Sequence, residues 1–173
     1  MKKLFTVITL MIGTGLIGTG SVLATDNLIS EVEPGLTAQE YALTSLELIS
    51  KAQVAYPTAY ADFPIWNQAI ANAEAAVQAD PTNVKYVRML AMLYVTTQWW
   101  SRAMTNFDQL EALNGFDPET ITAAAFVARR LGVLAIDRGD NTEAIKYFQR
   151  SMALESNPIT QALIDRTTVF LGF

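Results

Sequence analysis

Two stretches decide the fold: Trp66-Asn67-Gln68-Ala69-Ile70-Ala71-Asn72-Ala73-Glu74-Ala75-Ala76 and, 34 residues on, Trp100-Ser101-Arg102-Ala103-Met104-Thr105-Asn106-Phe107-Asp108-Gln109-Leu110. Trp66, Ala69, Ala73 and Ala76 step by three and four, which places them on one face of a helix. Trp100, Ala103, Phe107 and Leu110 repeat those steps. Asn141, Ala144, Phe148 and Ser151 make a third copy. Upstream of each later copy lies a second matched set. Leu90-Ala91 and Tyr94 precede Ala103 by the same distances at which Leu131-Gly132 and Ala135 precede Ala144. The small residues let helix backbones approach closely, and the large ones fill the space between.

Working outward, the punctuation is that of a helical chain. Thr37-Ala38-Gln39-Glu40 reads as a capping box opening a helix that runs to about Ala55. Its apolar positions Leu43, Leu46, Ile49 and Val54 are expected to form the inward face. Asp62-Phe63-Pro64, Asn83, Asp117-Pro118-Glu119, Asp140-Asn141-Thr142-Glu143 (a second box) and Asn157-Pro158 mark further starts. Gly115 and Gly139 sit where helices should stop. In the last helix, Pro158 to Leu171, the expected inward residues are Ile159, Leu163 and Phe170. Gln161, Asp165 and Arg166 should face water.

The 34-residue step, the paired helices and Pro81 after the first copy resemble the tetratricopeptide repeat family. The resemblance covers residues 37–157 and is strongest from 66 to 157. It implies an all-α, right-handed solenoid of about three helix–turn–helix repeats with a C-terminal capping helix. Departures are an insertion at Ala55–Pro64, Asn141 in place of the aromatic, Pro158 two residues late, and a third unit whose first helix is two turns longer.

Residues 1–24 read as a signal peptide: Lys2 and Lys3, an apolar run from Leu4, and Val22-Leu23-Ala24 before cleavage at Thr25. The alternative is an uncleaved anchor, since Leu4–Ala24 is about long enough to span a bilayer. Residues 25–36 form a flexible lead-in and 37–171 the repeat domain. The expected location is exported, periplasmic or secreted. Gly13-Thr14-Gly15-Leu16-Ile17-Gly18 matches a dinucleotide-binding string, but it lacks the strand–helix setting that gives the string meaning.

Composition narrows the chemistry. With no cysteine and no histidine, disulfides, thiol nucleophiles and imidazole catalysis are excluded. Carboxylate-only metal sites and Asp/Glu catalysis stay open on composition alone. The net charge of −5 becomes −7 without Lys2 and Lys3, so there is no general attraction for nucleic acid or anionic membrane. No Walker, HExxH or GxSxG pattern stands in a context that would give it meaning. Asp137 and Asp140 flank a turn, where capping accounts for them. No enzyme activity, cofactor or metal is expected.

The resemblance implies that the first helix of each unit lines a concave groove. Lys85, Arg88, Met92, Val95 and Thr96 fall there in the second unit, and Phe126, Arg129, Val133, Ile136 and Asp137 in the third. Arg130 neighbours them. Lys85, Arg88, Met92, Phe126, Arg129, Arg130 and Val133 are therefore the candidate peptide-binding residues, for an extended segment carrying a carboxylate. This is similar to the family's carboxylate-clamp members, although the asparagines those members use are absent. Ordinary solvated or ion-paired cations are the competing reading. The partner is a protein or peptide. The rival function is a structural, self-associating envelope protein working through its convex face and Trp99, the tryptophan outside the repeat pattern.

Overall fold

The computed structural model describes residues 32–170. The signal segment, its cleavage site, most of the lead-in and Leu171 lie outside the described residues. Among those described there are seven helices and no strand: α1 (Ala38–Ala55), α2 (Pro64–Ala79), α3 (Val84–Thr96), α4 (Trp100–Ala112), α5 (Pro118–Asp137), α6 (Asn141–Leu154) and α7 (Pro158–Phe170). Packing is closest within α1/α2, α3/α4 and α5/α6, with α2/α3, α4/α5 and α6/α7 next. The chain is thus a row of antiparallel helix pairs, each buried against the next. No helix among the described residues is long and apolar enough to cross a membrane.

The repeated positions are the core. Ala69, Ala103 and Ala144 are completely buried, as are Phe107 and Phe148, and Trp66 is nearly so. A Cβ at Gly132 would overlap the Phe148 ring, so this glycine sets how closely α5 approaches α6. Two buried serines join helices within a pair: Ser45 Oγ donates to Ala69 O and Ser151 Oγ to Ala125 O, both at 2.8 Å. Between units, the Arg150 guanidinium on α6 reaches Asp108 and Glu111 on α4. Gln109 Nε2 donates to Pro81 O at 2.8 Å, tying α4 to the preceding turn.

The helix boundaries fall where expected, but α2 starts at Pro64 from Phe63 with no side-chain cap. Thr37 and Glu40 form a complete box. At α6 only half a box exists: Asp140 accepts from Glu143 N, but the Asp140 N–H is already bonded to Ala135 O. After α4 it is Asn114, at φ +52°, that takes the left-handed turn. Gly115 instead serves close packing, since a Cβ there would lie 2.8 Å from Val84 Cγ1. Gly139, at φ +81°, does stop α5 as glycine should.

Two expected faces are corrected. Leu43, Leu46 and Val54 point outward, Val54 being 91% exposed. The face of α1 against α2 is Ala42, Ser45 and Ala52 with Leu48 and Ile49, because so close a helix pair selects small side chains at the seam. On α7, Ile159 is exposed, Leu163 is half-buried, and the buried positions are Thr160 and Thr167. Gln161, Asp165 and Arg166 face water as expected.

Candidate functional site

A cavity of about 730 Å³ opens between α3, α5 and the α6–α7 turn. Met92 comes to it from α3, and Thr122, Phe126 and Arg129 from α5. These three α5 residues are spaced by four and three, which puts them on one stripe of the helix. Asn157 and Glu155 close the far end, with the buried Ser151 beneath. Phe126 is 38% exposed, a large apolar side chain left facing the opening. Arg129 lies with its guanidinium carbon 5.8 Å from the Phe126 ring centroid, within cation–π range. Among the described residues no carboxylate comes within ion-pair distance of Arg129. The site therefore combines an apolar floor (Met92, Ala123, Phe126) with one unpaired cation and two acids, Glu119 and Glu155.

The cavity gathers Met92, Phe126 and Arg129 from the sequence-derived set and distributes the rest elsewhere. Arg88 does not line it. Its guanidinium pairs with Asp117 at 3.1 Å and donates to Gly115 O at 2.7 Å, holding the turn between α4 and α5. Asp117 at the same time caps α5, accepting from Thr120 Oγ1 and Thr120 N. The Thr120 hydroxyl, then the Thr120 N–H and then Arg88 hold the Asp117 carboxyl below the usual aspartate range. Lys85 is exposed on the first turn of α3. Arg130 is exposed and stands 5.6 Å from the Trp100 ring centroid. Val133 and Ile136 line a separate, smaller cavity with Leu163 of α7. Pro118 and Glu119, read from sequence only as a helix start, and Thr122 and Ala123 also line the cavity. The signal was present, since Glu119, Thr122, Phe126 and Arg129 share one helical face. Glu119 and Thr122 lie in the two extra turns of α5, for which the repeat alignment has no counterpart.

A second polar cluster joins α2, α3 and α4. Tyr94 donates to Glu74, and Arg102 donates to Glu74 at 2.8 Å. Burial, then the Glu74 carboxylate, push the Tyr94 hydroxyl up to about 12. Trp99 stacks on Tyr94, with planes 11° apart and centroids 5.9 Å apart, and Arg102 sits 4.3 Å from the Trp99 centroid. Trp100 instead packs edge-on against Phe126 between the second and third units. Trp99 is thus fixed in the turn before α4, half-buried.

This architecture is a tetratricopeptide-type α-solenoid. Among solved structures, the chain resembles the N-terminal domain of stress-induced protein-1 (STI-1) from C. elegans, at 16% identity over 78% of this chain and 99% of that one, with a TM-score of 0.50. It also aligns with the first TPR of Spaghetti (RPAP3) bound to HSP90 peptide SRMEEVD, at 18% identity over 76% of this chain and 96% of that one (TM-score 0.41). A third is PcrH in complex with the chaperone binding region of PopD, at 17% identity over 80% and 92% (TM-score 0.41). No family model matches the sequence, and the search of curated proteins found no match.

Proposed function

We propose that the chain is an exported adaptor that holds a segment of another protein in the cavity between α3 and α5. The observation that carries this reading is the exposed Phe126 ring beside the half-buried Arg129 in a cavity large enough for several side chains. An apolar anchor beside a cation suits a peptide with a hydrophobic residue next to a carboxylate. Export rests on residues 1–24, and the exported form should have the mass of a chain starting at Thr25.

The test is selection from a random-peptide display library on the purified chain lacking residues 1–24. Enriched peptides should lose at least about tenfold in affinity on Phe126→Glu and on Arg129→Ala. Lys51→Ala, remote on α1, should leave them unchanged. Enriched peptides that bind both groove variants as they bind wild type would refute the groove.

A further inference from the structure

We propose a second binding site, separate from the groove, that takes a ligand pairing a flat apolar group with a carboxylate. It lies where the N-terminal ends of α4 and α6 meet the C-terminal half of α5. The cavity there is about 650 Å³ and shares no lining residue with the groove. It uses a different face of α5: Leu131, Leu134 and Arg138 line it, whereas Thr122, Phe126 and Arg129 line the groove.

Its walls are chemically unlike those of a packing defect. Trp99, Trp100 and Tyr147 supply three aromatic surfaces, all half-buried, and Leu131 and Leu134 supply aliphatic ones. The charged lining residues are Arg102, Arg138 and Glu143. The two arginines differ in availability. Arg102 is committed to Glu74 and to the Trp99 ring, and so holds the aromatic wall in place. Arg138 is exposed at the rim, and among the described residues no carboxylate lies within ion-pair distance of it. A cation at the mouth of an aromatic-lined cavity complements an anion carried next to a flat group. The volume falls in the range of small-ligand pockets, so the guest is a single arylalkyl carboxylate or one residue of a peptide with its acid.

The test is a titration of tryptophan fluorescence with 3-phenylpropionate, with 3-phenylpropionamide, and with a short peptide ending in a free-acid phenylalanine. Trp66 is buried in the core, so a response reports Trp99 and Trp100. The acid should give a saturable change and the amide should bind at least about tenfold more weakly. Arg138→Gln should weaken the acid by about tenfold, Arg138→Lys should retain most of the affinity, and Arg129→Gln in the groove should leave it unchanged. Tighter binding of the peptide than of the free acid would identify a polypeptide ligand, and the reverse a small molecule. Three outcomes would overturn the site: equal binding of acid and amide, no saturable signal up to about 10 mM, or equal loss on Arg129→Gln and Arg138→Gln. The first two leave the groove untouched, and the third would assign the acid to the groove as well; the groove itself is read through peptide selection on Phe126 and Arg129.

Discussion

Gly132→Ala should destabilise this protein, although alanine is the better helix former. In the interior of α5 the exchange gains about 1 kcal/mol of intrinsic helix propensity. Against that, the new methyl would collide with the Cδ1, Cε1 and Cζ edge of Phe148. Phe148 is completely buried, so its ring has nowhere to turn. Overpacking of a closed core costs about 1–3 kcal/mol, and an immobile aromatic edge belongs in the upper half of that range. The expected net loss is therefore about 1–2 kcal/mol. Urea unfolding followed by far-ultraviolet circular dichroism would read it as a lower midpoint at constant slope. The control is the same substitution with Phe148→Leu. With the ring removed, Gly132→Ala should stabilise by up to about 1 kcal/mol, so the two changes couple strongly. If Gly132→Ala stabilises the wild-type chain, or behaves alike in both backgrounds, the α5–α6 contact is not as tight as described.

Ala103→Glu should leave the chain unfolded at room temperature. Overpacking costs about 1–3 kcal/mol and a stranded charge several more, against a typical stability of about 5–15 kcal/mol; a wild-type circular-dichroism melt would refute the register. Stability should fall in acid as Asp117 protonates. Its native pKa is depressed by Thr120 and Arg88, so the contribution is intact above the ordinary aspartate value of about 3.9 and is lost as pH drops through the lower native value. Asp117→Asn, which keeps a capping side chain, should flatten that limb of a pH–melting profile. One tyrosine should titrate near 12 in an ultraviolet absorbance titration, and Tyr94→Phe should remove it. Because that native value is raised, Tyr94 should favour the folded state below about pH 10 and lose that contribution as pH climbs towards 12. Arg88→Ala should lower the melting temperature measurably, since it deletes both the Asp117 pair and the bond to Gly115 O.

The candidate site was only partly legible in advance. Met92, Phe126 and Arg129 could be placed together because helical spacing and the repeat offset predict which side chains share a face. Arg88 occupies the position equivalent to Arg129, but its neighbours in space are Gly115, 27 residues downstream in the turn before α5, and Asp117, the cap of α5. No local pattern contains that meeting, and it converts a candidate ligand group into a structural clasp. The far end of the cavity likewise depends on Ser151, Glu155 and Asn157, brought in from α6 and the turn beyond it.

By itself the sequence determined the helices, the caps of α1, α3 and α5, and the stacking of pairs. These follow from local rules: a 3.6-residue period, oxygen-bearing caps, and small residues recurring where backbones must touch. The tertiary structure alone decided which face of a terminal helix has a partner. In α1 the three aliphatic residues Leu43, Leu46 and Val54 look like a core stripe, yet α2 approaches from the side of Ala42, Ser45 and Ala52. Apolar character states that burial would be favourable; it does not state that a neighbour exists to provide it. In a solenoid each helix is covered only by those beside it, so the ends of the array escape a rule that holds for its middle.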